Sequence, residues 1–131
     1  MILQEKELRE YLEGTNFTAD EFRCRCCGVV KMQKSFIDKI LKLRELMKEP
    51  MYINSGYRCQ NHPDEISKKK PWAGFHVKSE GVDIRVSTRK YRAKLIRLAH
   101  ACSITGIGVA NNFLHLDNRS WDALYCYPKT K

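Results

Sequence analysis

Gly74-Phe75-His76-Val77-Lys78-Ser79-Glu80-Gly81-Val82-Asp83-Ile84-Arg85-Val86 decides how this chain is read. Val82–Val86 reads as a strand of β-branched residues interrupted by one acid, Asp83, and an acid inside a strand is costly unless it is paired or bound to a metal. His76 ends a polar stretch seven residues earlier, and a turn at Ser79-Glu80-Gly81 is expected to bring it back toward Asp83, with Gly81 supplying the backbone freedom. Further along, Phe113-Leu114-His115-Leu116-Asp117 is a second strand whose odd-numbered side chains share one face. Two imidazoles and a carboxylate make a first-row metal site with an open position, an arrangement suited to hydrolysis, whereas a structural zinc normally closes with four protein ligands. The plain alternative is a set of unrelated polar residues on two edge strands.

The remaining elements fall around these two strands. Glu5–Leu12 reads as a short helix ended by Gly14, and Thr18-Ala19-Asp20-Glu21 as a capping box. Ser35–Met47 is a helix with Phe36, Ile40, Leu43 and Met47 on one stripe, widened by Ile37 and Leu41. Met51–Asn54 is a short strand, and Gln60–Phe75 a long polar loop. Ser87 is the expected N-cap of a helix carrying Tyr91, Leu95, Leu98 and Cys102, and Gly106 its expected end. Strands are expected at Ile107–Ala110, Phe113–Asp117 and Ala123–Tyr127. Helices separated by clustered strands give an α+β class, a small mostly antiparallel sheet with helices packed on one face. At 131 residues the chain is expected to be a single domain over 1–131, and a monomer.

Composition narrows the partners. A net charge of +9 attracts polyanions such as an anionic cell envelope. Apolar runs are too short to span a bilayer, and the charged N-terminus shows no Sec-type signal, so synthesis in a cytoplasm is expected. Six cysteines in such a compartment are expected to stay reduced. Cys24, Cys26, Cys27 and Cys59 read as small buried thiols or as a disulfide formed after release, because C-x-C-C looks too tight for the usual zinc knuckle; a structural zinc is the alternative.

Taken together, His76-x6-Asp83, the later His115, Ser55-Gly56-Tyr57-Arg58 after the first strand, Phe17-Thr18-x-x-Glu21-Phe22-x-Cys24-x-Cys26 and Gly106-Ile107-Gly108-Val109 resemble the zinc D,D-carboxypeptidase and endopeptidase family of peptidoglycan-cleaving enzymes, peptidase family M15, whose members include phage endolysins. The likeness runs from about Phe17 to Tyr127 and implies a hedgehog-like core fold. It also implies one zinc held by His76, Asp83 and His115, with Arg58 facing the active site and peptidoglycan as substrate. Two positions depart from the family pattern. Ser79 stands where a Gly is usual, so Gly81 is expected to take over the turn; Asn112 stands where many members carry the general base. The chain is closer to the subgroup bearing His-x-Asp, which makes Asp117 the candidate base or partner of a ligand, with Glu80 the alternative carboxylate. Trp72 and Trp121 flank the expected cleft and could stack on substrate; nucleic acid is not the expected partner. A phage-type endolysin, stored in the cytoplasm until it reaches the wall or carried on a virion, is the simplest reading. A non-catalytic basic module binding nucleic acid or wall polymer is the alternative.

Overall fold

The computed structural model describes residues 1–70 and 73–128. Its elements are β1 (Ile2–Leu3), α1 (Glu5–Leu12), a 3-10 turn (Ala19–Phe22), β2 (Met32–Gln33), α2 (Lys34–Met47), β3 (Ile53–Ser55), α3 (Pro63–Ile66), β4 (Gly81–Arg85), α4 (Arg89–Ala101), β5 (Gly106–Val109), β6 (Phe113–Asp117) and β7 (Ala123–Cys126). β1 and β2 form a two-stranded antiparallel pair, and the other strands form a five-stranded sheet in the order β3-β4-β6-β5-β7. All neighbours in that sheet are antiparallel except β5 and β7, which run parallel.

Alternation along the strands divides the sheet into two faces. Val82 and Ile84 of β4, Leu114 and Leu116 of β6 and Ile107 of β5 join one core with Phe36, Ile37, Ile40, Leu43 and Met47 of α2 and with Leu95 and Ala99 of α4.

 Leu95 and Ala99 are the buried positions of α4, and Tyr91 and Leu98 pack half-buried at its margin. The opposite face carries the polar residues: Asp83 on β4 lies directly across from His115 on β6, and Gly81 across from Asp117. The hydrophobic effect therefore fixes which face is which, since slipping β6 by one residue would bury His115 against α2 and expel Leu114.

Four local expectations are corrected. Thr88, rather than Ser87, caps α4, its hydroxyl accepting from the Tyr91 N–H at 3.0 Å. That helix ends at Ala101, where Ser103 takes the left-handed conformation (φ 62°), and Gly106 instead begins β5. The loop over 60–75 contains a helical turn, α3, started by Pro63 at its first position. In the turn before β4, Ser79 itself adopts a φ of 66°, so Gly81 does not take over that duty. Gly81 instead packs closely on the turn, since a Cβ there would stand 3.1 Å from the His76 nitrogen, tighter than an ordinary contact. A non-glycine residue in the left-handed region costs about 1–2 kcal/mol. Ser79→Gly should therefore stabilise the protein by about 1 kcal/mol, raising the melting temperature by roughly 2–5 °C in a calorimetric scan. An unchanged or lower melting temperature would show that the Ser79 side chain contributes more than its backbone costs.

Candidate metal centre

Cross-strand pairing brings Asp83 and His115 together, and the turn over 76–80 folds His76 onto them. His115 Nδ1 lies 3.0 Å from Asp83 Oδ1 and 3.2 Å from His76 Nε2, and His76 Nε2 lies 3.2 Å from Asp83 Oδ1. All three side chains are buried. Ligand atoms at about 2.0–2.2 Å from a tetrahedral zinc stand about 3.3–3.6 Å from one another, so a slight expansion of this triangle admits the ion.

Each ligand is held from behind. The Gly56 carbonyl accepts from His76 Nδ1 at 2.8 Å, which leaves the Nε2 lone pair facing the centre. Asp117 Oδ2 accepts from His115 Nε2 at 2.7 Å, leaving Nδ1 facing inward. Arg58 Nη2 donates to Asp83 Oδ2 at 3.1 Å, leaving Oδ1 toward the imidazoles. Such outer contacts fix the tautomer and direction of metal ligands.

Arg58 thus reaches the site, and it also makes ion pairs with acids of the neighbouring loop. Its Nε donates to Ser55 Oγ at 2.9 Å and its Nη1 to Glu65 Oε2 at 2.9 Å, while Asp64 stands 3.8 Å away. Glu65 is fully buried and also accepts from Lys68 Nζ at 3.0 Å. Burial pushes the Glu65 pKa up, but its bonds from Arg58 and Lys68 prevail and hold it below the usual carboxylate value.

Asp117 is wholly buried behind His115. Besides accepting from His115, it is gripped by Arg119, whose Nε donates to Oδ1 at 2.8 Å and whose Nη2 donates to Oδ2 at 2.6 Å. Burial would raise its pKa; the bonds from Arg119 and His115 outweigh that and bring it down to about 2. Gly106 makes the room for this carboxylate, because a Cβ there would fall 1.8 Å from Asp117 Oδ1. Gly108 does the same for the Tyr125 ring, 2.7 Å from where a Cβ would be.

A cavity of about 230 Å³ opens beside the ligands and is lined by Arg58, Lys68, Phe75, Phe113, Tyr125 and Tyr127 together with them. A second, of about 410 Å³, adjoins it through Arg58, Asp83 and Phe113 and reaches His62 and Asp64. Neither cavity is lined by Asp117 or Glu80. Glu80 precedes β4 and is half-buried; burial raises its pKa. Trp121 is exposed and meets the Phe75 ring edge-on at 6.1 Å, whereas Trp72 lies outside the described residues. A larger cavity of about 600 Å³ is also lined by Phe113, with Arg92 and Asn112, and holds none of the three ligands.

Glu65, Lys68, Arg119, Tyr125 and Tyr127 were not singled out as site residues by the sequence. Arg119 carried a signal, since it continues the alternation of residues 113, 115 and 117. Glu65 and Lys68 carried none, as nothing in a polar loop marks one acid for burial.

Without a metal, His115 stands between two carboxylates. Burial would lower its pKa, but the bonds to Asp117 and Asp83 prevail and raise it above the ordinary imidazole value. A raised pKa strengthens the proton's competition with a metal for His115, so metal binding displaces proton from this imidazole. Zinc titrated calorimetrically at pH 7 in buffers of different ionisation heat should show proton release at this centre, taken as the difference between wild type and His115→Ala. Affinity at the centre should fall as the pH drops below the His115 pKa, where the proton competes more strongly. Zinc binding here with no proton released would contradict this ordering of charges.

No curated protein matches the chain. The family model described as Peptidase M15 matches residues 15–117, a span that contains all three metal-facing side chains and Asp117. Members of that family are zinc-dependent metallopeptidases, which agrees with the two imidazoles and one carboxylate converging here, and this chain belongs to the peptidase M15 family.

Proposed function

We propose that this protein is a zinc peptidase that hydrolyses peptide bonds in the stem peptides or cross-links of bacterial peptidoglycan, in the manner of a phage endolysin. The observation that carries this reading is the triangle of His76, Asp83 and His115, each ligand fixed from behind and the whole opening onto a cavity. When bound there, zinc supplies a Lewis acid and an activated water for hydrolysis.

The protein's own residues do the rest. His76, Asp83 and His115 would hold the ion. Arg58 directs Asp83, and its remaining donor capacity faces the cavity where a substrate carbonyl or carboxylate would lie. Lys68 adds positive charge at the same mouth, suited to the carboxylates of a stem peptide. Phe75, Phe113, Tyr125 and Tyr127 give it apolar walls. Asp117 is assigned to orienting His115, because both of its oxygens are engaged and it does not line the cavity. His62 and Asp64, which border the adjoining cavity, are the groups placed to move a proton there.

Among the described residues no helix is long and apolar enough to cross a membrane. The net charge of +9 favours an anionic envelope as the surface approached. Zymography on purified bacterial cell walls, with and without chelator, tests the reading. Clearing that is lost with chelator and restored by zinc is expected, and mass spectrometry of the released fragments would then identify the bond among D-Ala–D-Ala, D-Ala–diaminopimelate and L-Ala–D-Glu. Binding to walls without any release of fragments would favour the non-catalytic module instead.

A further inference from the structure

Away from the metal centre, Cys24, Cys27 and Cys59 bring their sulfurs within 4.8 Å of one another. The spacing read from C-x-C-C hid the relevant pair: Cys24 and Cys27 are separated by two residues, Arg25 and Cys26, which is the interval of a metal knuckle. The backbone is folded accordingly. The Gly28 N–H donates to the Cys24 carbonyl at 3.0 Å, and the Cys24 N–H to the Val29 carbonyl at 2.8 Å. Gly28 turns the chain back with a φ of 76°, a conformation that favours glycine. Cys59 arrives from 35 positions away, and its N–H donates to Cys24 Sγ at 3.4 Å. Cys26, in the same turn, places its thiol 3.9 Å from the Asn61 carbonyl, two residues beyond Cys59.

We propose that Cys24, Cys27 and Cys59 hold a second, structural zinc, with Cys26 supplying the fourth thiolate from the edge of the cluster. Sulfurs bound at about 2.3 Å to a tetrahedral zinc stand about 3.8 Å apart, a spacing that small side-chain rotations reach from the one observed. An all-thiolate donor set selects zinc over calcium or magnesium. The Cys59 N–H···S bond places a backbone donor on the Cys24 sulfur, which favours the thiolate form that binds metal. A disulfide could join only two of these sulfurs at a time, whereas a metal uses them all.

The consequence reaches the catalytic side of the molecule. Cys59 follows Arg58, and the preceding Tyr57 N–H donates to the Phe22 carbonyl at 2.9 Å. Gly56 packs so closely on Phe22 that a Cβ would stand 2.6 Å from its Cα. A zinc at the cysteines would clamp this turn at its far end, fixing the Gly56 carbonyl that orients His76 and the guanidinium that orients Asp83. The proposal stands independently of the peptidase reading, since it concerns a different set of ligands.

Metal analysis of protein purified under reducing conditions and dialysed against zinc-free buffer tests it. Wild type should carry about two zinc ions per chain, His115→Ala and Cys59→Ser about one each, and the double variant none. Cys102→Ser and Cys126→Ser should keep both ions. Cobalt-substituted His115→Ala should show the near-ultraviolet absorption of cobalt–thiolate bonds, and Cys27→Ser in the same background should lose it. Unfolded in chelator, the chain should present all six cysteines as free thiols. If Cys59→Ser does not fold, the spectrum of cobalt-loaded His115→Ala carries the test alone. No thiolate absorption in that folded variant, or two thiols missing from the count as a disulfide, would overturn the proposal.

Discussion

His115→Ala should abolish peptidoglycan hydrolysis and remove one zinc, while the circular dichroism spectrum stays close to that of the wild type. The imidazole is one of the three proposed ligands, and its Nδ1 stands within 3.2 Å of both others. Loss of the metal removes the Lewis acid on which hydrolysis depends, a deficit of several kcal/mol in the transition state and so about 10³-fold or more in rate. The fold should survive because the sheet has its own core on the opposite face, where Val82, Ile84, Leu114 and Leu116 pack without reference to the ligands. Asp83 and Asp117 keep their arginine partners, Arg58 and Arg119, so neither carboxylate is left as an unpaired buried charge. Global unfolding of this variant would mean that the centre is structural, and the enzymatic reading would lose its main support.

The second large effect concerns Asp117, for which the sequence left two roles open. If it orients His115, Asp117→Asn should lower zinc affinity at the centre by about 10–100-fold, with activity recovered in excess zinc. If it were the general base, the variant would keep its zinc and lose about two or more orders of magnitude in rate at any zinc concentration. The geometry favours the first outcome: Oδ2 accepts from His115 at 2.7 Å, and Arg119 holds both oxygens. Gly106→Ala should act in the same direction, since the added methyl cannot share space with Oδ1. The same carboxylate also links the site to acid stability. Its folded pKa of about 2 lies below the ordinary value near 3.9, so its stabilising contribution is complete above about pH 4 and is lost as the pH falls toward 2.

Much of this site was legible because it is written on strands. Alternation puts Asp83 and His115 on the face away from the core, since each is flanked by core residues, and puts Asp117 on the face of His115; the family resemblance is what singled them out as site residues. Placing Asp83 opposite His115 required the register, which the short strands do not state. The turn that carries His76 was anticipated, but Gly81 was read as its flexible residue when Ser79 holds the unusual φ. Packing explains the error: Gly81 lies close against the His76 backbone, a contact visible only in three dimensions. Arg58 lies against Asp83, and its pairing with Glu65 depends on a helical turn inside what read as loop. The cysteine cluster was the least legible, because Cys59 joins Cys24 across 35 positions and local spacing is silent about such distances. The parallel pairing of β5 with β7 was hidden for the same reason.

Crystals of zinc-loaded protein, with anomalous diffraction recorded on both sides of the zinc absorption edge, test the central claim most directly. An anomalous peak is expected inside the triangle of His76 Nε2, Asp83 Oδ1 and His115 Nδ1, about 2.0–2.2 Å from each, with a non-protein ligand completing the shell on the cavity side. Zinc-saturated crystals with no peak there, and with these three side chains turned away from one another, would contradict it.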